Sequence, residues 1–340
     1  MRGRKEGEVR VRPVVMSDVA REAGVSQQTV SRVLHDHPSV RPETRARVNA
    51  AIERLGYRPN LAARSLAAGR SRTVGVLLTS QLSHGTAAIF AAIADSARQE
   101  GYQLVVVSAR DDSSVSVAMA LDELAGYRVE VSIILARRIA ALDELGAKPA
   151  SRPRILVAGQ GGIAGVTTVA IDQTSGAIAA TEHLLRTGRR RLVHVAGDLS
   201  NVDAVARRDA FVRTCADAGV EAVVIDSGAW SAEAGARAGA EALGASPDGV
   251  FAANDDLALG VMRAFHDAGY RVPDHVGLIG FDDVPSSRML VPSLTTVVQD
   301  FRALGRAVMA QVVAVADGEE PEDVLLRARL VIRESTRPAT

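Results

Sequence analysis

The chain has 340 residues, 47% of them hydrophobic, and its 40 basic and 40 acidic side chains give a formal net charge of zero. A chain of this length and apolar content is expected to bury a large core and to form two or three domains. The charge is unevenly spread, because residues 1–70 carry 14 Lys and Arg against 7 Asp and Glu, whereas the remainder carries 26 against 33. A basic amino-terminal part on an acidic body favours a polyanionic partner at one end only.

The composition argues against a secreted, membrane-spanning or metal-binding protein. Cys215 is the only cysteine, so neither a disulfide framework nor a cysteine-based zinc site is possible, and it reads as a small buried side chain. The seven histidines show no ligand spacing such as H-x-x-x-H. Residues 1–13 are charged and predict a basic disordered tail rather than a signal peptide. With no run of 18 apolar residues, we expect a cytoplasmic protein without cofactor, metal or membrane span.

Residues 16–34 have the spacing of a helix-turn-helix, within a predicted DNA-binding domain of residues 14–59. Small Ala20 lets two helices cross closely, Gly24 takes the sharp turn, and Val30 packs the second helix inward. Helix pairs joined by a glycine also occur in many proteins that do not bind DNA. The polar outer surface of the second helix is what favours DNA binding here.

That outer surface carries side chains that match the chemistry of the major groove. Gln27 and Gln28 can each pair with adenine N6 and N7, and Arg32 can pair with guanine O6 and N7. Short hydroxyl side chains suit phosphate oxygens, which position a protein without specifying sequence. These are Ser26, Thr29 and Ser31.

A third helix is expected after Arg41, because Pro42 suits a first helical turn and Gly56 can end the helix. Pro59 then interrupts the chain and Asn60 can cap a new helix. This predicted hinge helix, within residues 60–70, has only about two turns and is marginal alone in water. It should therefore form only when it packs against something.

From residue 71 the pattern changes to strands alternating with helices. One series runs from a strand at 73–78 to a strand at 154–158, and a second series begins near residue 171. Apolar, β-branched strands alternating with helices predict parallel sheets covered on both faces. Two such series predict two similar lobes, with a ligand cleft beyond the carboxyl ends of the strands.

Residues 159–164 fit the dinucleotide fingerprint G-x-G-x-x-A, but the β-branched residues 165–170 follow where a helix is required. No G-x-x-x-x-G-K phosphate loop is present, so the chain is not expected to be an enzyme. A sugar-binding transport protein would share the two lobes but would need a signal peptide and no DNA-binding domain. A ligand-responsive DNA-binding regulator therefore fits best.

Over nearly its whole length the chain resembles the lactose-repressor (LacI/GalR) family of bacterial transcription regulators. The resemblance rests on the helix-turn-helix and on several motifs in matching order and spacing. They are Gly56-Tyr57-Arg58-Pro59-Asn60, Ala63-Arg64-Ser65-Leu66, Gly197-Asp198-Leu199-Ser200, Trp230-Ser231, Ala253-Asn254-Asp255, Gly280-Phe281-Asp282-Asp283 and Leu294-Thr295-Thr296-Val297-Val298-Gln299-Asp300-Phe301.

The resemblance implies an N-terminal all-α helix-turn-helix domain with a hinge helix, followed by an α/β two-lobed body like a periplasmic binding protein. Residues 71–340 would bind an effector and dimerise. The first lobe would comprise about 71–171 and 299–327, and the second about 172–298 and 328–338. Because the chain ends without an apolar heptad helix, we expect a homodimer rather than a tetramer.

The family also implies roles for particular residues. Leu66 would be an apolar wedge in the minor groove at the operator centre. The other hinge residues placed there are Asn60, Ala63 and Arg64. The effector cleft would be lined by Arg207, Trp230, Asn254 and Asp282, with Asp203 and Phe301 as further candidates. Such a set suits a sugar, since Trp offers a flat face to C–H groups and the polar side chains bond hydroxyls.

Departures from the family pattern limit the expected effector. Leu135 and Ala158 stand where the lactose-responsive member of the family has polar sugar ligands, so lactose-type galactosides are not implied. We expect a repressor of carbohydrate-utilisation genes that binds a palindromic operator as a dimer and is released by a sugar-like effector. The alternative is a corepressor-dependent or activating regulator of the same family with a non-sugar effector, such as a nucleobase or a sugar phosphate.

Overall fold

The structure, a computed structural model, describes residues 14–34, 37–57, 70–78, 84–111, 113–147, 152–158 and 163–337. The chain divides into two compact units, residues 1–71 and 72–340, which we describe separately. The predicted basic tail (1–13) and the hinge residues Asn60, Ala63, Arg64 and Leu66 lie outside the described residues. The tail and the hinge helix therefore stay predictions.

The described part of the first unit consists of three α-helices: α1 (Met16–Ala23), α2 (Gln27–Leu34) and α3 (Pro42–Leu55). Val19, Val30 and Val48 are completely buried where the helices meet. Gly24 and Gly56 follow α1 and α3 with φ of +62° and +60°, a left-handed conformation that costs glycine little. The helix-turn-helix and the third helix beginning at Pro42 are confirmed.

The second unit contains two sheets, of which the first defines what we call the first lobe. Its strands are β1 (Thr73–Leu78), β2 (Gln103–Ser108), β3 (Val131–Leu135), β4 (Arg154–Leu156), β5 (Thr167–Asp172) and β11 (Val324–Arg327). Described strands lie in the order β11-β5-β4-β3-β1-β2, and all neighbours are parallel. The helices of this lobe are α4 (His84–Gln99), α5 (Ser114–Gly126), α6 (Ile139–Ala147) and α11 (Phe301–Asp317).

The second sheet defines the second lobe. Its strands are β6 (Leu192–Ala196), β7 (Ala222–Asp226), β8 (Gly249–Ala252), β9 (Gly277–Asp282), β10 (Thr295–Val298) and β12 (Arg329–Val331). The described strands lie in the order β12-β10-β9-β8-β6-β7, and only β12 is antiparallel to its neighbour. The helices are α7 (Gln173–Arg186), α8 (Val202–Asp217), α9 (Ala232–Ala242) and α10 (Asp255–Asp267), with 3-10 turns at Leu243–Ala245, Ser287–Met289 and Glu334–Thr336.

Both sheets are covered on both faces, as the unbroken apolar runs of the strands require. Every residue of β6 is buried, and so are all four residues of β8. Cys215 lies in the core beneath this sheet, where burial raises the pKa of its thiol to about 11, so it is the inert buried side chain that the sequence predicts. None of the described helices is long and apolar enough to cross a membrane.

The fold class predicted from the sequence is confirmed, whereas some element boundaries differ. The strand expected to reach Ala158 ends at Leu156, because β4 pairs with β5 through only two residues. Helix α6 was not predicted, since its short sequence gives little periodic signal. The chain crosses between the lobes next to Gln173, next to Gln299 and between β11 and β12. The exact domain and lobe limits stay predictions.

Candidate nucleic-acid interface and interlobe cavity

The surface of α2 presents the side chains that the sequence assigns to base reading. Gln27, Gln28 and Arg32 are all exposed. The first turn of α2 contains no acidic residue. Because a helix amino terminus carries partial positive charge and unpaired backbone N–H groups, this end of α2 suits a phosphate oxygen.

The three predicted phosphate-contacting hydroxyls differ in their surroundings. Ser26 is exposed and caps α2, since its Oγ accepts a hydrogen bond from the Thr29 backbone N–H at 3.1 Å. The Ser26 and Thr29 hydroxyls also lie 2.9 Å apart and share a hydrogen bond. Thr29 and Ser31 are half-buried. Ser26 therefore has a structural role in beginning the helix, in addition to any contact with DNA.

A cavity of about 810 Å³ opens between the two lobes of the second unit. It lies where parallel strands of both sheets end, which is where open α/β sheets bind ligands. The first lobe lines it with His84, Gly85, Thr86, Ser108, Ala109, Arg110, Asp111, Arg137 and Arg138. The second lobe lines it with Asp198, Asn201, Arg207, Gly228, Ala229, Trp230, Ser231, Asn254, Asp256 and Asp282.

Arg207 is almost completely buried at the floor of this cavity. Its Nε and Nη2 both donate to the Gln173 Oε1, at 2.9 and 2.7 Å, and its Nη1 donates to the Ala253 carbonyl. The guanidinium also stacks 3.7 Å above the Phe281 ring. Burial lowers the pKa of Arg207, while Asp282 acts in the opposite direction. Since an arginine side chain stays charged in proteins, the cavity contains a fixed, oriented cation.

Asp282 ends β9 and provides the acceptor beside that cation. Its Oδ1 lies 3.9 Å from the Arg207 Nη2 and accepts a hydrogen bond of 2.5 Å from the Gln299 Nε2. Burial raises the pKa of this carboxyl, and the charge of Arg207 opposes the shift. Gln299 in turn accepts a hydrogen bond from Gln173 at 2.9 Å. The two glutamines therefore connect the cation and the carboxylate into one network.

Trp230 and Asn254 form the adjoining wall. A Cβ atom on Gly197 would lie 2.6 Å from the Trp230 ring, so only glycine allows the ring to lie this close. The Asn254 Nδ2 donates to the Trp230 carbonyl at 3.1 Å, while its Oδ1 caps α10 by accepting from the Leu257 N–H at 2.8 Å. Asn254 thus fixes the Trp230 loop and the start of α10 together.

The structure brings Arg207, Trp230, Asn254 and Asp282 into one cavity but places the other two candidates elsewhere. Asp203 is buried beside the cavity and forms an ion pair with Arg137, at 3.3 Å. It lines a small adjoining pocket instead. Phe301 begins α11 and packs, partly buried, against the core of the first lobe.

Sequence reasoning missed the first-lobe wall and the contacts that join it to the second lobe. Arg138 forms an ion pair with Asp198 at 3.0 Å and also donates to the Ser200 hydroxyl. The backbones of Arg138 and Asn201 form an isolated antiparallel bridge. We call these contacts, together with the Arg137–Asp203 pair, the interlobe clasp. These residues could have been found from their place in the sequence. Arg137 and Arg138 closely follow the carboxyl end of β3, where open α/β sheets bind ligands.

Polar and charged side chains of both lobes line the cavity. Among the described residues, no group of three or more His, Cys, Asp or Glu side chains is placed to hold a metal ion. Among the lining side chains are the buried guanidinium of Arg207 and the carboxylate of Asp282, and the Trp230 ring lines the same cavity. Such a set can donate hydrogen bonds to a polyhydroxylated molecule, accept them from it and stack against it.

Two family models match the chain. One, described as bacterial regulatory proteins of the lacI family, matches residues 15–60, and the other, a periplasmic binding protein-like domain, matches residues 181–336. The lactose operon repressor of Escherichia coli (strain K12) is 31% identical over 330 residues, covering 96% of this chain and 91% of that protein.

Solved structures of similar proteins match nearly the whole chain. A lac repressor dimer bound to operator and the anti-inducer ONPF superposes with a TM-score of 0.85 at 31% identity, covering 96% of this chain and 99% of that chain. The complex of the transcriptional regulator CelR with cellobiose has a TM-score of 0.69 at 29% identity, covering 95% of this chain and 100% of that chain.

Proposed function

Because the chain belongs to the lacI family of bacterial regulatory proteins, it is a DNA-binding transcriptional regulator, and we propose that it represses carbohydrate-utilisation genes in response to a sugar. A homodimer would bind a palindromic operator through α2 and the hinge segment. A sugar-like effector in the interlobe cavity would release it.

The observation that carries the sugar proposal is the Arg207–Asp282 pair on the cavity floor, next to the Trp230 ring. A buried donor beside a buried acceptor, held 3.9 Å apart, matches two neighbouring hydroxyls of a pyranose. The indole face suits the apolar C–H side of the same ring. A cavity of about 810 Å³ is large enough for a disaccharide. The relative solved with cellobiose binds a ligand of this class.

Sequence-specific contacts are assigned to α2. Gln27, Gln28 and Arg32 would read base edges in the major groove, while the hydroxyls of Ser26, Thr29 and Ser31 would contact phosphates. Asn60, Ala63, Arg64 and Leu66 would enter the minor groove as a hinge helix that folds on DNA. The lac repressor dimer solved on its operator supports both the dimer and the palindromic site.

Release requires that the effector prefer one arrangement of the lobes. A ligand that binds two arrangements equally well shifts neither, however tightly it binds. The cavity meets this requirement in principle because both lobes line it. An effector that favours one interlobe arrangement would thus change the fraction of protein molecules that can bind the operator.

Selection of operators from a random duplex pool tests the DNA assignment. Arg32→Ala should lower the affinity for the selected operator by about 10- to 100-fold and relax the preference at one base position. Arg213→Ala, which removes an exposed arginine of α8 in the second unit, is the matched control and should change nothing. If the wild type enriches no sequence, or if Arg32→Ala leaves the preference intact, the assignment is wrong.

Ligand screening tests the effector assignment. Trp230 is the only tryptophan of the chain and lines the cavity, so its fluorescence reports binding directly. We expect cellobiose or another sugar to change this signal and to raise the melting temperature, and Asp282→Ala to abolish both effects. A response confined to nucleobases or sugar phosphates would instead support the non-sugar alternative. An increase in operator affinity on binding would indicate corepression.

A further inference from the structure

The turn that follows β9 has a backbone conformation that its side chains do not favour. Asp282 and Asp283 are consecutive non-glycine residues with φ of +105° and +53°. A backbone of this kind persists only where the surroundings hold it in place. Asp282 depends on this turn for the direction of its carboxylate into the cavity.

Two of the contacts that hold the turn come from nearby elements. The Val284 backbone N–H donates to the buried Asp255 Oδ2 at 2.9 Å. The Ser287 hydroxyl donates to the same oxygen at 2.6 Å. Both bonds involve residues after Asp283, so they hold the backbone that follows the turn. The Asp283 side chain itself is held by a different residue.

That partner comes from the carboxyl-terminal end of the second lobe. Arg333 directs its Nη2 to the Asp283 Oδ1 at 2.6 Å, and its Nη1 donates to the Leu294 carbonyl at 2.8 Å. The side chains of this ion pair are only 16% and 18% exposed, so water screens it weakly. Arg333 thus joins the turn after β9 to Leu294, the residue immediately before β10.

Arg333 is itself held firmly by the residues that follow it. The Ser335 hydroxyl donates to the Leu278 carbonyl at 2.6 Å and accepts from the Thr295 N–H at 2.8 Å. The Thr336 hydroxyl bonds the buried His183 at 2.9 Å. The segment 333–336 is therefore fastened to β9, β10 and α7, and it gives Arg333 a fixed position from which to act.

We propose that Arg333 is a positioning residue for the effector site, which holds the Asp282–Asp283 turn in its left-handed conformation and so aims the Asp282 carboxylate. Arg333 does not line the cavity, so it acts through Asp283 rather than on the ligand. That Asp282 serves effector binding rests on the function proposed above. The role of Arg333 in holding the turn does not.

Hydrogen exchange of the ligand-free full chain tests the proposal without knowledge of the effector. In Arg333→Ala, the amides of Val284 and Ser287 should exchange at least tenfold faster, while those of β6 and β8 keep their wild-type rates. Arg333→Lys should restore part of the protection, because lysine keeps the charge but not the planar fork that reaches two partners. Arg337→Ala removes an exposed arginine directly after the segment 333–336 and should have no effect.

A second variant distinguishes loss of the Arg333–Asp283 ion pair from a general loss of stability in the second lobe. Asp283→Gly removes the carboxylate but tolerates a positive φ, so adding Arg333→Ala to it should produce no further acceleration. Unchanged exchange at Val284 in Arg333→Ala overturns the proposal, and so does equal acceleration throughout the second lobe.

Cellobiose titration, followed by Trp230 fluorescence, completes the test. Arg333→Ala should weaken binding at least fivefold, and Arg337→Ala should not. If the wild type ignores cellobiose and every other sugar, the proposed function fails, while the exchange experiment still decides the role of Arg333. If the wild type binds and Arg333→Ala binds equally well, Arg333 does not position the site.

Discussion

At the scale of single residues, His194 gives the second lobe a sensitivity to acid. Its ring is fully buried, stacks 4.7 Å from the Phe251 ring, and its Nδ1 bonds the Phe251 carbonyl at 2.8 Å. Burial lowers the pKa of His194 from 6.5 to about 4. At pH 7.5 and above the ring is almost entirely neutral in both the folded and the unfolded chain, so it contributes little pH dependence there.

Between pH 6.5 and 4 the unfolded chain binds a proton at His194 that the folded chain does not, so stability falls as the pH falls. We expect this residue to account for about 2 kcal/mol of the unfolding free energy lost between pH 7.5 and 5. His194→Gln should reduce the loss of unfolding free energy between pH 7.5 and 5 by that amount, as measured by chemical denaturation at a series of pH values. Equal losses in the wild type and in His194→Gln would contradict the assignment.

The residues of the site show which functional groups a sequence can reveal. Arg207, Trp230, Asn254 and Asp282 were predicted through a family resemblance, and the structure places them together. Gln173 and Gln299 were missed, because each is an ordinary polar residue where the chain crosses between lobes. Their hydrogen bond and their contacts with Arg207 and Asp282 exist only after residues 126 positions apart have met.

At the scale of elements, Ser26 combines two roles that a pair of substitutions can separate. Its Oγ caps α2, and the sequence also assigns it a phosphate contact. Ser26→Ala should destabilise the start of α2 by about 1 kcal/mol, which hydrogen exchange at the Thr29 amide would detect. Ser26→Asp keeps a capping oxygen but adds a negative charge, so it should preserve that protection and still weaken operator binding.

Operator titrations at two salt concentrations complete this test. The loss of operator affinity in Ser26→Asp should become smaller as the salt concentration rises, because salt screens the repulsion between the added carboxylate and the phosphates. If Ser26→Asp binds the operator as well as the wild type, no phosphate lies near Ser26. If both substitutions leave the exchange of Thr29 unchanged, the cap has no energetic role.

Element type was predictable wherever one periodicity extends over many residues. The periodicity predicts strands at 191–196 and 276–280 and a helix at 257–268, each within two residues of the observed bounds of β6, β9 and α10. The order in which the strands pair within a sheet was harder to predict from the sequence. β12 pairs antiparallel with β10 although more than thirty residues separate them, and nothing local in either strand encodes that partner. Such pairings depend on the whole lobe being assembled first.

At the scale of the whole second unit, the interlobe clasp connects the two lobes in their observed arrangement. Its Arg137–Asp203 pair spans 3.3 Å with side chains 13% and 2% exposed. Arg137→Met leaves a buried carboxylate without its partner and should cost about 3 kcal/mol of unfolding free energy. Adding Asp203→Asn should recover much of that loss, which denaturant unfolding of the four proteins would measure as a coupling energy.

An exposed pair provides the control for this cycle. Arg98 and Asp95 lie 3.2 Å apart on α4 with side chains 78% and 68% exposed, so the same substitutions there should give no measurable coupling. Additive effects of the substitutions at Arg137 and Asp203 would show that this ion pair contributes nothing to the unfolding free energy.

The central claim is that a small molecule in the interlobe cavity controls binding of DNA by the first unit. The most direct measurement is the affinity for the selected operator, with and without a saturating sugar, in the wild type and in Asp282→Ala. The account predicts at least a tenfold loss of wild-type affinity on addition of sugar, and no change in the variant. Equal responses of both proteins to the sugar, or a wild type that binds all duplexes alike, would contradict it.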